Sequence, residues 1–376
     1  MLIKNANVYV NATRQFEIKD ILITDGIIAD MGRLEVADGQ VIDVAGSPVV
    51  SGLIDVHTHG RAGHDFNDAD DAALHKMARD YAARGVTSLM PTLASAPIES
   101  MVKAAERLNG FSPDDGEADF CGVHLEGRYL NPKKRGAHAE GLISDLRADE
   151  LELFRNVFPL HVTAAYELDT DGSFIARALG MGASLGLGHT EADFAQARLA
   201  ESRGVTAYTH LFNAMPPLHH RDGGAVCAAL TGEGYGELIC DGIHIAPQMI
   251  KLGFSMLGYN RTVLVSDSME ATGCPDGDGY SICGNAVVVK NGIPYTIEGA
   301  LAGSTLTLDS AVNNLIDFCG IPLSEAILCA TENPAREIGV FDRIGSVDIG
   351  KSADLLLLEN TDRLDIKRVM IRGKFI

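Results

Sequence analysis

The sequence predicts an α/β protein built around a (β/α)8 TIM-like barrel, with a small β-sandwich domain formed by both chain termini. Two observations carry this prediction. The middle of the chain alternates amphipathic helices with short apolar runs, eight of which fall between residues 49 and 265. Both ends of the chain instead hold short strand-like segments. Strands that alternate with helices form parallel sheets, and eight of them predict a closed barrel.

The two ends of the chain share one pattern. Near the N-terminus, Leu2–Val10 and Asp20–Thr24 are strand-like runs, and the Asp25-Gly26 pair that follows is a strong turn signal. Near the C-terminus, Ala353–Leu358 and Arg368–Lys374 have the same character. We therefore expect residues 1–48 and 341–376 to form one composite β-sandwich domain, and residues 49–340 to form the barrel.

The barrel elements follow in order along the chain. The predicted strands are Val49–Asp55, Val86–Met90, Phe120–Leu125, Leu160–Ala165, Ala183–Gly188, Val205–Thr209, Glu237–Cys240 and Thr262–Val265. The predicted helices are Asp71–Arg84, Ile98–Leu108, Asp149–Asn156, Phe174–Leu179 and one that is capped by Thr190–Asp193 and runs to Arg203.

The composition limits the partners. The chain has 376 residues with 31 Lys and Arg against 51 Asp and Glu, a net charge of −20, which argues against nucleic acid and against an anionic membrane surface. Seven scattered cysteines without a C-x-x-C pair are typical of a reduced protein. The N-terminus lacks the pattern of a signal peptide, and no run reaches the ~18 apolar residues of a membrane span. We expect a cytoplasmic protein.

Metal-competent side chains stand at the predicted C-terminal ends of the strands, where the active site of such a barrel lies. They are His57, His59, Glu126, His189, His210 and Asp267. One histidine at a strand end is usually structural, but six such residues favour a shared metal site. Four imidazoles with two carboxylates suit zinc or ferrous iron better than magnesium, and Glu126 is able to bridge two ions.

This set of residues predicts metal-assisted hydrolysis. A divalent metal lowers the pKa of a bound water toward ~7 and so provides a nucleophile at neutral pH. A neighbouring carboxylate is able to take the proton and pass it to a leaving amine. Asp267, the last residue of the series, fits that role.

The motifs around these residues resemble the amidohydrolase superfamily, and within it the N-acetylglucosamine-6-phosphate deacetylases. The resemblance covers essentially the whole chain. The motifs that carry it are His57-Thr58-His59-Gly60, His124-Leu125-Glu126-Gly127, Lys133-Lys134-Arg135-Gly136-Ala137-His138, Gly188-His189-Thr190, Thr209-His210-Leu211-Phe212-Asn213-Ala214-Met215, Asp241-Gly242-Ile243-His244 and Ser266-Asp267.

The resemblance implies a role for each residue of the site. It implies Glu126, His189 and His210 as ligands of the principal metal and Asp267 as the catalytic acid/base. His57 and His59 make a second metal plausible, so that one or two ions are expected per subunit. The implied substrate contacts are Ala137, His138, Asn213, Ala214, Arg221, His244 and the loop Leu301-Ala302-Gly303. Arg221 would come from a neighbouring subunit, which implies a homodimer.

Three residues depart from the family pattern. Arg128 follows the glutamate motif where the family usually has proline, and Ser268 and Glu270 stand where small alanines are common. A cation beside Glu126 would lower the basicity of that carboxylate or bind an anionic group of the substrate. These changes leave the identity of the substrate more open than the type of reaction.

The function predicted from the sequence is deacetylation of N-acetylglucosamine 6-phosphate to glucosamine 6-phosphate and acetate, a step of amino-sugar catabolism. One alternative is another N-acyl amino sugar phosphate, such as N-acetylgalactosamine 6-phosphate. A second is another amide or cyclic-amide hydrolase of the superfamily, such as a dihydroorotase-like enzyme. A third is a catalytically silent barrel that senses a sugar phosphate, and the presence of Asp267 beside the metal-competent residues argues against it.

Overall fold

The computed structural model describes residues 1–35 and 39–376. The first five strands, β1 to β5, are Leu2–Val10, Gln15–Thr24, Ile27–Gly32, Val41–Asp43 and Pro48–Ser51. Strands β6 to β16 are Leu53–Thr58, Gly60–Arg61, His64–Asp65, Val86–Ala94, Asp119–Phe120, Val123–Glu126, Leu160–Ala164, Ser184–Leu187, Ala207–Tyr208, Tyr235–Ile239 and Thr262–Val265. Strands β17 to β22 are Gly277–Ile282, Asn285–Lys290, Ile293–Thr296, Leu355–Leu358, Ile366–Ile371 and Lys374–Phe375.

The helices lie mainly between the barrel strands. Helices α1 to α10 are Asp71–Ala83, Ile98–Asn109, Ala148–Leu151, Ser173–Gly180, Phe194–Ser202, Gly224–Thr231, Pro247–Leu257, Leu308–Cys319, Leu323–Ala326 and Glu332–Glu337. Short 3-10 turns are Pro132–Lys134, Glu140–Leu142, Glu152–Phe154, Tyr166–Leu168 and Ile327–Ala330. None of the helices in the described ranges is long and apolar enough to cross a membrane.

Eight parallel strands form the barrel, as the sequence predicts. The order is β6, β9, β11, β12, β13, β14, β15 and β16, each hydrogen-bonded to the next. Beyond β16 the circle closes, because the Asp267 backbone N–H donates to the His57 carbonyl at 2.9 Å and Thr58 bridges Ser268. Apolar side chains such as Leu89 and Val162 are fully buried in the core that packs the strands against the helices.

The termini form a separate strand-rich unit, which confirms that part of the prediction. Its sheet has the order β22-β21-β20-β5-β1-β2-β3, with β4 beside β1. The sheet encloses its own apolar cluster, in which residues of the N-terminal strands, such as Ile21 and Ile28, pack with Leu355 and Met370 from the other end of the chain. The two chain ends therefore depend on each other for burial of their apolar side chains.

The predicted first barrel strand, Val49–Asp55, is two strands in the structure. Strand β5 lies in the terminal sheet between β1 and β20, whereas β6 starts the barrel. The chain crosses from one sheet to the other at Gly52, where a Cβ atom would collide with the Thr87 side chain. The division into residues 1–48 with 341–376 and residues 49–340 stays a proposal, although β5 lies across its first boundary.

Two helices differ from their predicted form. The helix expected over Asp149–Asn156 is the short α3 followed by a 3-10 turn. Helix α5 is capped by Asp193, which forms a capping box with Gln196, and Thr190 instead donates to Glu167 at 2.6 Å. Asp193 caps the helix rather than Thr190, because Asp193 directly precedes the first helical residue and its carboxylate accepts the backbone N–H of Gln196, the third helical residue.

Candidate active site

Four histidine side chains converge on one carboxylate at the C-terminal end of the barrel. Glu126 is the last residue of β11, and its Oε1 lies 2.8 Å from Nε2 of His210 and 3.1 Å from Nε2 of His189. Its Oε2 lies 2.9 Å from Nε2 of His59 and 3.4 Å from Nε2 of His57. The residues come from β6 and the position after it, from β11, and from the loops after β13 and β14, so the closure of the barrel brings them together.

Asp267 completes this group. Its Oδ1 lies 3.4 Å from Nε2 of His59 and 3.5 Å from Nε2 of His57. The backbone of Asp267 has a φ of 48°, and His189 and His210 have φ values of 47° and 33°. Left-handed backbone is uncommon outside glycine and gathers at functional sites, where the surrounding structure holds it.

The electrostatics of the group favour a bound cation. Burial alone would lower the pKa of His59, but Asp267 and Glu126 outweigh burial and raise it to about 9. Burial alone would raise the pKa of Glu126, but the histidines, His57 foremost, hold it well below its usual range. Glu126 is therefore ionised, and the carboxylates of the cluster stabilise positive charge among the imidazole nitrogens, which a bound cation would also supply.

The donor set also fits a divalent cation chemically. Nε2 of His57 is buried and has no hydrogen-bond partner among the residues that the structure describes, although it faces Glu126 and Asp267. Imidazole nitrogens and carboxylate oxygens together are the ligands that zinc and iron take in proteins. His57, His59 and Glu126 offer one group of ligand atoms within 4.8 Å of one another, and Glu126, His138 and His189 offer another.

His138 lies beside the cluster as a neutral imidazole. The Ser95 backbone N–H donates to its Nδ1 at 3.3 Å, and the Ser95 hydroxyl lies 2.9 Å from the same atom. These contacts place the ring proton on Nε2, which is 3.8 Å from Oε2 of Glu126. Burial lowers the pKa of His138 to about 4, so the ring stays neutral at physiological pH.

The cluster opens into a cavity of about 210 Å³. Five of the residues predicted to bind metal or act in catalysis line it, and so do most of the predicted substrate contacts. The lining residues are His59, Glu126, Gly136, Ala137, His138, His189, His210, Asn213, Ala214, His244, Asp267, Ile282, Cys283, Leu301 and Gly303. His57 is fully buried beneath the cavity.

Two of the predicted substrate contacts lie elsewhere. Ala302 is fully buried between its two neighbours and packs in the apolar cluster around Met269, so it does not face the cavity. Arg221 is exposed on a loop after the cavity residue Ala214 and does not line the cavity of its own chain. Within one chain, Arg221 therefore does not contact this cavity.

The departures from the family pattern have structural explanations. The Arg128 guanidinium bonds to Glu150 at 3.3 Å and to the Ala96 carbonyl at 3.2 Å. The guanidinium is hydrogen-bonded to these partners and does not line the cavity. The structure therefore does not support the expectation that Arg128 lowers the basicity of Glu126 or binds an anionic group of the substrate. The Ser268 hydroxyl lies 2.7 Å from that of Thr58, at the closure of the barrel.

One wall of the cavity is not predicted from the sequence. Strands β17 to β19 form a three-stranded sheet after β16, and Ile282 and Cys283 at its first turn line the cavity. Glu270 secures this sheet by accepting the Ser281 backbone N–H. The Asn291-Gly292 pair between β18 and β19 is a strong hairpin signal that would have revealed it.

A parallel barrel whose strand ends carry four imidazoles and two carboxylates around one cavity defines the class of metal-dependent hydrolases. The profile of the amidohydrolase family matches residues 49–376, and the chain belongs to this family. It is accordingly a hydrolase of a metal-dependent superfamily.

Its relatives are similar over nearly their whole length. The chain is 34% identical over 368 residues to the N-acetylgalactosamine-6-phosphate deacetylase of Escherichia coli O157:H7, covering 94% of this chain and 97% of that protein. It is 33% identical to the N-acetylglucosamine-6-phosphate deacetylase of Vibrio furnissii, covering 95% and 91%. The crystal structure of N-acetylglucosamine-6-phosphate deacetylase from Thermotoga maritima superposes with a TM-score of 0.89 at 29% identity, covering 100% and 99%.

Proposed function

We propose that the protein is a metal-dependent deacetylase that hydrolyses the acetamide of N-acetylglucosamine 6-phosphate to glucosamine 6-phosphate and acetate. The observation that carries this proposal is the convergence of Glu126, His189, His210 and Asp267 on one cavity, in a chain whose relatives include deacetylases of that name. The same site residues follow from the motifs in the sequence, and the fold brings them within a few ångströms.

The metal ligands are assigned from the family resemblance, and the short distances within the cluster support the assignment. Glu126, His189 and His210 would hold the principal ion, and His57 and His59 would hold a second ion that shares Glu126. Zinc or ferrous iron suits these donors. A divalent ion bound there supplies a Lewis acid that lowers the pKa of water.

Asp267 is the proposed acid/base. Its carboxylate lines the cavity and is ionised, because His57 and His59 lower its pKa against the opposing effect of burial. In that state it accepts the proton of the attacking water and then passes it to the departing amine. Both transfers take place at the same carboxylate, so the residue ends the reaction as it began.

His138 is proposed to hold the acetamide carbonyl. With Nδ1 accepting from Ser95, the Nε2–H is directed to the cavity wall that Glu126 shares. A neutral imidazole there donates one hydrogen bond to the carbonyl oxygen as negative charge develops on it. Because the pKa of His138 is about 4, this role is kept throughout the neutral pH range.

Binding of the sugar phosphate is assigned to another part of the cavity lining. Asn213, Ala214 and His244 line it, and Asp241 orients His244 through a 2.6 Å contact to Nδ1. We further propose a homodimer in which Arg221 of one subunit reaches the cavity of the other, because the guanidinium is exposed and outside its own cavity. A cytoplasmic location stays a prediction.

The galactosamine epimer is the second candidate substrate, because the relative from Escherichia coli O157:H7 carries that name. The two sugars differ in the orientation of one ring hydroxyl and share the acetamide, so the chemistry of the site is the same for both. The preference for one of the two epimers therefore depends on the residues that contact the sugar ring.

The test is acetate release by the purified protein loaded with Zn²⁺ or Fe²⁺. The substrates to compare are N-acetylglucosamine 6-phosphate, N-acetylgalactosamine 6-phosphate, unphosphorylated N-acetylglucosamine and dihydroorotate. We expect the highest kcat/KM for N-acetylglucosamine 6-phosphate. A folded, metal-loaded protein that releases no acetate from either phosphorylated sugar would refute the proposal, and a preference for the galactosamine epimer would reassign the substrate.

A further inference from the structure

A buried glutamate in the barrel, which does not line the cavity, contacts the candidate metal ligand His57. Glu237 lies in β15 and is fully buried. Its Oε2 is 3.3 Å from Nδ1 of His57, and the same oxygen accepts the backbone N–H of His210 at 3.3 Å. One carboxylate oxygen therefore contacts two candidate ligand residues that come from different strands.

We propose that Glu237 is a positioning residue that holds His57 in the tautomer required for metal binding. A neutral imidazole has one ring proton, and a carboxylate at Nδ1 keeps that proton on Nδ1. Nε2 is then free to bind a cation, and it is the atom that faces Glu126 and Asp267. The inference rests on the metal site proposed above and is independent of the substrate.

The surroundings of His57 leave it little freedom. The His124 ring packs edge-on against it, with centroids 4.6 Å apart. His124 is itself fixed, since its ring nitrogens contact the hydroxyls of Thr92 at 3.1 Å and Thr163 at 2.8 Å. The His57 ring is therefore held by packing on one side and by Glu237 at its inner nitrogen.

The other candidate ligands have different support. Nδ1 of His189 contacts the Lys134 carbonyl at 2.7 Å, whereas the buried Nδ1 atoms of His59 and His210 have no hydrogen-bond partner among the described residues. A carboxylate behind a ligand imidazole raises its basicity more than a neutral carbonyl does. Among the described histidines of the cluster, His57 is the one with a carboxylate at Nδ1, so loss of Glu237 should weaken the ion held by His57 and His59 selectively.

The positioning of His57 also explains why a carboxylate is present at the buried position 237. A buried glutamate is costly unless it is paired, and Glu237 has no Arg or Lys partner in the described part of the chain. Its neighbours are His57, His161 at 3.8 Å and the buried carboxyl of Glu337. His57 and the backbone N–H of His210, each at 3.3 Å, provide the closest contacts that stabilise the charge.

The test measures Zn²⁺ binding to the full-length protein without substrate, by competition with a chelator and by elemental analysis. In Glu237→Gln a neutral acceptor remains at Nδ1, and in Glu237→Met no acceptor remains. We expect the affinity of one ion to fall by ~10 to 100-fold, more in the Met variant, while the other ion stays within a few fold of wild type. Circular dichroism checks folding.

The matched control is Glu117→Gln. Glu117 is also a buried glutamate with an oxygen 2.7 Å from a histidine Nδ1, that of His75, but it lies outside the cavity. Both ions of the cavity should bind this variant as in wild type, because Glu117 belongs to a separate group of metal-competent side chains with His75 and Asp114. Unchanged binding of both ions by folded Glu237→Met, or equal loss of both ions in Glu237→Gln, would overturn the inference and leave the proposed function standing. A wild type that binds fewer than two ions would overturn the second metal site together with the inference.

Discussion

At the residue scale, the chemistry depends on a few side chains whose backbone conformations are unusual. His189, His210 and Asp267 all follow a barrel strand and all have left-handed φ values. The turn that ends each strand aims the side chain back over the barrel mouth, toward Glu126. The sequence predicted which residues meet, because strand ends in a barrel meet at one face, but it gave no indication of this backbone strain.

The catalytic role of Asp267 is testable by removing its ability to carry a proton. Asp267→Asn keeps the size of the side chain and the backbone turn, but an amide does not accept the proton of the attacking water. We expect turnover to fall by at least ~10²-fold with metal content nearly intact. Acetate release and elemental analysis on the same sample measure both. Near wild-type turnover in a metal-replete variant would remove Asp267 from the mechanism.

Metal stoichiometry tests the paired histidines. With His57 and His59 both directed at Glu126, we expect about two ions per subunit after purification with excess Zn²⁺ or Fe²⁺. Replacing His57 and His59 together by alanine should reduce the count to about one, since Glu126, His189 and His210 remain. Elemental analysis that finds only one ion in saturated wild type would contradict the binuclear site.

At the element scale, the sequence predicted those strands and helices that depend on local residue patterns. The eight barrel strands and the helices α1, α2, α4 and α5 are predicted by the periodicity of apolar residues and by the capping and turn residues at their ends. The division of the first strand at Gly52 was missed, because it depends on the approach of Thr87 from a neighbouring strand, which only the tertiary structure shows. Strands β17 to β19 were missed although the Asn291-Gly292 turn signalled them. Glu237 was placed on a strand, but its pairing with His57 depends on barrel closure.

Close packing at the end of strand β13 gives a prediction for stability. In Gly188→Ala the added Cβ would lie 2.7 Å from Cγ2 of Thr163 and 2.8 Å from Cβ of Thr209. We expect the free energy of unfolding to fall by ~1–3 kcal/mol, and Zn²⁺ binding to weaken because His189 is the next residue. Urea denaturation measures the first effect and chelator competition the second.

The matched control for this prediction is Gly180→Ala. Gly180 ends helix α4, and an added Cβ would meet no atom of another element within 4 Å in the described part of the chain. Alanine is the better helix former, so we expect a change of less than ~1 kcal/mol, in the stabilising direction. If the two variants unfold at the same urea concentration, β13 is not packed as closely as described.

At the scale of the whole molecule, an acidic protein must bind an anionic substrate. The net charge of −20 repels a sugar phosphate unless a local cation opposes it. Arg221 was identified through the resemblance alone, since a loop arginine is usually solvated. The Arg221 side chain is exposed in a single chain, as expected for a residue that contacts the substrate of a second subunit. The sequence of one chain does not reveal the geometry of a contact between two subunits.

The phosphate contact is testable by comparing two substrates. Arg221→Ala removes a guanidinium suited to bidentate binding of phosphate. We expect KM for the phosphorylated sugar to rise far more than KM for unphosphorylated N-acetylglucosamine. Arg155→Ala, which removes an exposed arginine outside the cavity, should leave both values unchanged. An equal effect of Arg221→Ala on the two substrates, or a wild type that prefers the neutral sugar, would refute the phosphate assignment.

The sharing of Arg221 between subunits is testable by mixing two defective proteins. In a mixed dimer, the Asp267→Asn subunit still has Arg221, and the Arg221→Ala subunit still has Asp267. If Arg221 acts across the interface, one site of each mixed dimer is complete. Random exchange makes about half of the dimers mixed, so activity should recover to about a quarter of wild type. Each variant alone, and each mixed with wild type, provides the baseline. If the mixture shows only the summed activities of its components, while co-purification through an affinity tag on one variant confirms exchange, Arg221 acts within its own chain or not at all.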